Sequence, residues 1–393
     1  MDPVTNPYTP GAGTPPHALV GRAAELEDFS VAVRRLAQGR AAKSQMLTGL
    51  RGVGKTVLLR EFGRIAQREG WVHEHLEATE DVRFVEAIAL LVRKATLDLS
   101  ASRRRADRIR RMAGVLRAFR IRWKLPDGVD VEIDPVPGPA DSGLLDDDLA
   151  GLFLELGGLA RDADTGVLFS IDEVQYLGKD HLAALIVGLH RVSQEGLPLL
   201  VVGAGLPSLP GLAGEAKSYA ERLFHFRPIG SLTADDATAA LRAPAEEQGV
   251  EWDETAINDV FARSEGFPYF LQEFGKQAWN VAAGPDRISA EDVDRAAPIA
   301  IDELDTGFFR ARIDRATDAE RAYMRAMASL GGPGPYLSGD IAAALGKTRT
   351  SQVGPTRDSL IKRGLIYSPR WGLVAFTVPM FDAFVRRVMD PAR

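Results

Sequence analysis

The stretch GLRGVGKT, residues 49–56, constrains the fold more than any other part of this sequence. Gly49, Gly54, Lys55 and Thr56 stand in the register of a phosphate-binding loop, which requires a strand before it and a helix after it. Both are legible: QMLTG reads as a short strand and TVLLREFGRIAQREG has helical periodicity. Glycines at 49, 52 and 54 let backbone N–H groups turn inward and cradle phosphate oxygens at a helix N-terminus, with Val53 and Val57 completing the cradle. Lys55 is placed to reach the β- and γ-phosphates, and the Thr56 hydroxyl to take a magnesium ion.

GVLFSIDEVQYL, residues 166–177, supplies the expected partner. An apolar strand ending in Asp172 can set that carboxylate beside Thr56 to share the metal. Glu173 can then point to the γ-phosphate and polarise an attacking water. The ligands this implies are ATP or ADP with Mg²⁺.

Around these motifs strands and helices alternate as far as LPLLVVGAG (197–205), which predicts a parallel sheet covered on both faces. Four segments follow. Residues 1–16 form a Pro/Gly-rich arm and 17–230 the ATPase core, with a basic insertion at about 100–143. Residues 231–314 are helical, with Thr233 and Ser289 at N-cap positions, and 315–393 have a separate rhythm. Within the insertion, RRRADRIRRMAGVLRAFRIRWK (103–124) is an arginine-rich amphipathic helix. It suits a solvated face, a nucleic-acid backbone, an oligomer contact or an anionic membrane.

Composition removes several classes of function. The chain has no cysteine, so disulfides and thiolate chemistry are excluded. The arm lacks the basic and apolar regions of a signal peptide, and the longest apolar run, 197–206, is about half a membrane span. A cytoplasmic protein without a membrane span is expected. Two histidines in HEH (73–75) share one strand face, but no third zinc ligand stands near them.

Taken together, LVGRAAEL, GLRGVGKT, SIDEVQYL, VVGAGLP, AERLF and SEGFPYFLQ resemble a bacterial AAA+-type ATPase. The similarity is to the branch shared by initiator-like archaeal and bacterial ATPases and the signal-transduction (STAND) NTPases. The resemblance implies an α/β P-loop NTPase core with a parallel sheet, a helical lid and a C-terminal winged helix-turn-helix. It also implies that Val20, Gly21 and Arg22 line the adenine pocket, that Arg222 is a trans-acting arginine finger in a homo-oligomer, and that Gly266 and Pro268 form the lid's nucleotide-sensing motif. Two helpers of fast hydrolysis are missing from the pattern. Gly205 or Leu206 stands where a polar sensor belongs, with Ser208 the nearest polar residue, and Tyr269 stands near the place of a lid arginine. Since a donor that stabilises transition-state charge is worth several kcal/mol, slow turnover is expected.

The C-terminal part is basic on an acidic chain. From Asp340 onward nine Lys and Arg face four acids, a net of +5 where the whole chain carries −6. Such a footprint suits double-stranded DNA, with Arg349, Gln352, Arg357 and Lys362 on the recognition helix and Arg370 in the wing. The same module in STAND-like proteins packs against protein, so a nucleotide-gated scaffold without DNA stands as the alternative. A small-molecule P-loop kinase is disfavoured by the lid and the winged helix.

Overall fold

This structure is a computed structural model and describes residues 1–11, 13–17, 19–79, 83–99 and 144–389. The arginine-rich segment 103–124 lies outside the described residues. The chain packs as two units, one of residues 24–48 and 58–228, the other of 1–23, 49–57 and 229–393.

The first unit is the α/β layer. In chain order its elements are α1 (Ala23–Ala37), β1 (Ser44–Thr48), α2 (Lys55–Arg68), β2 (Val72–Glu77), α3 (Phe84–Leu99) and α4 (Leu145–Asp162). Then come β3 (Val167–Asp172), α5 (Lys179–Gln194), β4 (Leu199–Gly205), α6 (Leu209–Ala216), α7 (Ala220–Leu223) and β5 (Phe224–Pro228). The five strands are parallel in the order β2-β3-β4-β1-β5. The central strands β1, β3 and β4 are buried along their whole length, as the sheet's two helical covers require. Phe153 and Phe169, with ring centroids 5.9 Å apart, pack α4 onto β3. β4 lies between β1 and β3, with Thr48 opposite Gly205 and Ile171 opposite Gly203. The carboxyl ends of all three strands therefore finish along one edge of the sheet.

β5 was not legible in the sequence. FHFRP is an edge strand with His225 exposed and Arg227 half-buried, so it lacks the apolar run that marks the central strands.

The second unit continues with α8 (Ala234–Glu246), β6 (Glu251–Trp252), α9 (Glu254–Ser264), α10 (Pro268–Val281), β7 (Arg287–Ile288) and α11 (Ala290–Glu303). Thr233 Oγ1 accepts from Asp236 N–H at 3.2 Å, and Ser289 forms a reciprocal capping box with Asp292, so both expected caps are in place. A π-helical segment, Leu304–Arg310, leads to α12 (Asp318–Ser329), β8 (Tyr336–Leu337), α13 (Ser338–Ala344), α14 (Gly354–Lys362), β9 (Ile366–Tyr367), β10 (Leu373–Phe376) and α15 (Phe381–Met389). The last three strands form a sheet in the order β8-β10-β9. From 317 onward the described elements include the helices α12, α13 and α14 and the strands β9 and β10, with β8 and α15 in addition. Glu320, buried on α12, accepts from Ser359 Oγ at 2.7 Å and thus ties α12 to α14.

One hydrophobic cluster runs through this whole unit, from Tyr8 and Trp279 to Phe309, Phe381 and Phe384. The N-terminal arm belongs to it. Tyr8 is buried, its hydroxyl donating to the Leu241 carbonyl at 2.5 Å and accepting from Trp252 Nε1 at 2.7 Å. Asn6 Nδ2 reaches the Lys276 carbonyl at 3.0 Å.

Candidate functional site

The phosphate-loop motif folds as its glycines demand. Gly52 (φ 82°) and Gly54 (φ 91°) occupy the left-handed region, which an L side chain enters at a cost of about 1–2 kcal/mol. Gly49 is required for a different reason, since a Cβ there would run into the Ile229 carbonyl. The loop opens the fourteen-residue α2, whose first N–H groups have no partner within the helix. Lys55 Nζ donates to the carbonyls of Gly49 (2.9 Å) and Leu50 (2.7 Å). Val53 is buried, while Thr56 follows Lys55 in the first turn of the helix. This arrangement of left-handed glycines, lysine and hydroxyl fits a nucleotide polyphosphate and its magnesium ion.

Three other segments of the second unit meet the loop. Arg22 is buried, and its guanidinium donates to Gly21 (3.1 Å), Val53 (3.3 Å) and Gly230 (2.6 Å) carbonyls, joining the 20–22 segment, the loop and the start of the helical part. Sequence reasoning gave Arg22 to the adenine pocket; the structure places it on backbone carbonyls. Gly21 (φ 67°) abuts Asp236 and Leu232, and Val20 is half-buried against the hydrophobic cluster. Gly266 (φ 69°) accepts from Leu232 N–H at 2.8 Å, and a Cβ on it would stand 2.6 Å from the Leu232 carbonyl. Pro268 then opens α10 at its first position.

Next in α10, Tyr269 donates its backbone N–H to the Gly52 carbonyl at 3.2 Å. Its ring stacks on Phe308 at 4.6 Å, and the Arg312 guanidinium lies 4.2 Å above the Phe308 ring. Burial, with Glu273 adding to it, pushes the Tyr269 phenol up, so this position brings a neutral group to the loop. From the far end of the chain, the Thr377 carbonyl accepts Arg51 N–H at 2.9 Å. The sequence gave no sign of that contact.

In the α/β unit, Asp172 closes β3, buried, and its Oδ1 accepts Glu173 N–H at 2.8 Å. Glu173 itself is left-handed (φ 53°, ψ 41°), an unusual conformation for a residue with a side chain and one that clusters at functional sites. Gln175 Nε2 donates to Glu173 Oε2, while Gln175 Oε1 accepts Leu206 N–H at 3.1 Å. Sequence reasoning missed Gln175 because its role depends on β4 lying next to β3. β4 does end at Gly205, and Gly205 and Leu206 are both buried without a polar side chain. Ser208 is half-buried just before α6 and caps nothing with its side chain.

Arg222, on the short α7, is exposed and forms no ion pair with the described residues. His73 Nε2 and His75 Nδ1 share the buried Ser170 Oγ, at 2.8 and 2.9 Å. Burial and the neighbouring His75 lower His73 to about 4. Among the described residues no group of three or more His, Cys, Asp or Glu could hold a metal, and no helix is long and apolar enough to cross a membrane.

In the C-terminal part, Arg349, Lys362 and Arg370 are exposed and form no ion pair with the described residues. Arg357 pairs with Asp358 at 3.0 Å. Gln352 Oε1 is engaged by the backbone N–H groups of Thr348 (3.1 Å) and Arg349 (3.2 Å). The turn between β9 and β10 holds Trp371 wholly in solvent, at 101% relative exposure.

Comparison with known proteins agrees with the motifs. Residues 18–202 match the model of the AAA ATPase domain. Residues 306–385 match a second family model, a domain of unknown function (DUF8462). The Walker-type ATPase of Pyrococcus abyssi is similar in structure, with 16% identity and a TM-score of 0.60 over 96% of this chain and 99% of that one. At that identity the likeness shows the fold alone. The ORC1 protein of Aeropyrum pernix in complex with DNA (17% identity, TM-score 0.46, covering 96% and 95%) also matches. So does the RuvB Holliday junction branch migration motor of Thermotoga maritima (16%, 0.48, 93% and 96%). No curated protein matches by sequence.

Proposed function

We propose that the chain is an ATP-binding switch that hydrolyses its nucleotide slowly and passes the state of its phosphate loop to a C-terminal winged helix that contacts DNA. The observation that carries this reading is a pair of backbone bonds on the loop itself. Gly52 accepts from Tyr269 N–H in α10, and Arg51 donates to the carbonyl of Thr377 just after β10. A loop whose peptides turn to meet phosphate must break or carry these bonds, so the helical and C-terminal segments respond to what it holds.

Lys55 exchanges the Gly49 and Leu50 carbonyls for phosphate oxygens. Thr56 and Asp172 are the residues that would hold Mg²⁺, which when bound neutralises charge on the β- and γ-phosphates. Glu173 orients a water and accepts its proton as the water oxygen bonds to the γ-phosphorus and the bond to the β–γ bridging oxygen breaks. The end of β4, which lacks a polar side chain, and Tyr269, where a lid arginine would stand, support slow turnover, because neither adds a charged donor on the transferring phosphoryl group. Exposed Arg349, Lys362 and Arg370, which form no ion pair with the described residues, together with Trp371 next to Arg370 on the turn, support a nucleic-acid face. The exposure of Arg222 supports a second reading, a nucleotide-gated oligomer in which Arg222 reaches a neighbour's phosphate.

Mass measurement with ADP and with a non-hydrolysable ATP analogue, each with and without random duplex DNA, tests the proposal. A nucleotide-dependent DNA complex is expected, with an affinity that falls steeply as salt rises. An assembly that changes with nucleotide but ignores DNA would establish the scaffold instead. A steady-state rate of many turnovers per second without a partner refutes the switch.

A further inference from the structure

We infer that Gln175 is the positioning residue of the hydrolytic step, occupying from β3's side the place that a polar side chain on β4 would fill. The inference rests on the proposed ATP hydrolysis and names the group that regulates its base.

Three observations converge on it. The Gln175 amide is fixed in one orientation, because Leu206 offers it an N–H at 3.1 Å and only its carbonyl oxygen can accept that bond. Its NH₂ is therefore aimed at the Glu173 carboxylate, to which it donates. Gly205 has no side chain, and a Cβ there would lie 2.8 Å from Gln175 Oε1. The glycine thus leaves the room that Gln175 uses. Glu173 enters this contact from a left-handed backbone, which aims its side chain differently from that of an extended strand residue.

The physical effect is specific. An N–H bonded to one carboxylate oxygen restricts the rotation of that carboxylate. Glu173 is then held in register with the end of β4 before a water attacks. Gln175 touches neither nucleotide nor water in this scheme; it acts through Glu173.

Steady-state hydrolysis by the full chain, with affinity for a fluorescent ATP analogue measured on the same samples, tests this. Gln175→Ala is expected to lower kcat about ten- to hundred-fold with KM and analogue affinity nearly unchanged, the pattern of an interaction made in the transition state. Gly205→Asn alone should also lower kcat, by colliding with Gln175. The double variant Gln175→Ala/Gly205→Asn should recover activity above either single change, because the amide now comes from β4. Unchanged or raised kcat in Gln175→Ala, or no recovery in the double variant while both still bind the analogue, overturns the inference and leaves ATP hydrolysis standing. Absence of hydrolysis by the parent protein overturns the underlying reading together with it.

Discussion

Removing one oxygen from the N-terminal arm should cost the protein measurable stability. In Tyr8→Phe the ring stays in its pocket against Trp252 and Trp279, with centroids at 6.1 and 6.4 Å, but the indole N–H of buried Trp252 loses its acceptor. A buried donor left without a partner costs about 1–3 kcal/mol. Tyr8→Ala loses the ring as well and opens a cavity, for about 3–5 kcal/mol. At a urea dependence of about 2 kcal/mol per molar, a loss of 2 kcal/mol moves the midpoint by about 1 M. Tryptophan emission is the natural probe, since two of the five tryptophans flank the ring. A midpoint unchanged in Tyr8→Phe, or a Tyr8→Ala variant no weaker than Tyr8→Phe, would refute the claim that the arm is part of the core.

Three further outcomes are expected. His73, held at about 4, stays neutral in the native state where an unfolded histidine, near 6.5, takes up a proton. Its contribution to stability is therefore complete above about pH 6.5 and is lost as the pH falls toward 4. Urea midpoints at pH 7 and 5 should differ less in His73→Gln than in the parent, a comparison that cancels the opposite trend from Glu74, whose carboxyl burial pushes up. Arg22→Met should weaken binding of a fluorescent ATP analogue about ten-fold or more, because three backbone carbonyls lose the guanidinium that holds loop and Gly230 together. Unchanged affinity would show that the loop holds itself. Replacing Arg349 and Lys362 together by Ala should flatten the salt dependence of duplex binding by about two in log–log slope, whereas the same change at Arg357, already paired with Asp358, should do less.

The loop and the Asp-Glu strand were legible because chemistry fixes their residue types locally: glycines for left-handed peptides, a lysine, a hydroxyl, a strand-end carboxylate. The central strands were legible because burial on both faces makes them apolar throughout. β5 was not, because an edge strand carries the His225 and Arg227 that a central strand excludes. The arm's proline and glycine gave no sign of the single tyrosine that anchors it. Gln175 was invisible for a topological reason, since its partner Leu206 follows a strand that becomes its neighbour only when the sheet is ordered. Likewise no local pattern could join Arg51 to Thr377. In the C-terminal part the formal charge overstated the free cations, because Arg357, Arg363, Arg386 and Arg387 each face a carboxylate.

The phosphate loop takes its neighbours from segments that are synthesised well after it. Ile229 and Gly230 meet Gly49 and Arg22, Tyr269 meets Gly52, and Thr377 meets Arg51. While the protein is being made, the strand and helix on either side of the loop are complete long before these contacts exist. The loop therefore has its full set of backbone partners only after Thr377 has been made. A fragment cut near residue 230 carries the whole motif but lacks the bonds from Tyr269 and Thr377. A chain broken off there leaves the loop without the backbone partners that the later segments give it.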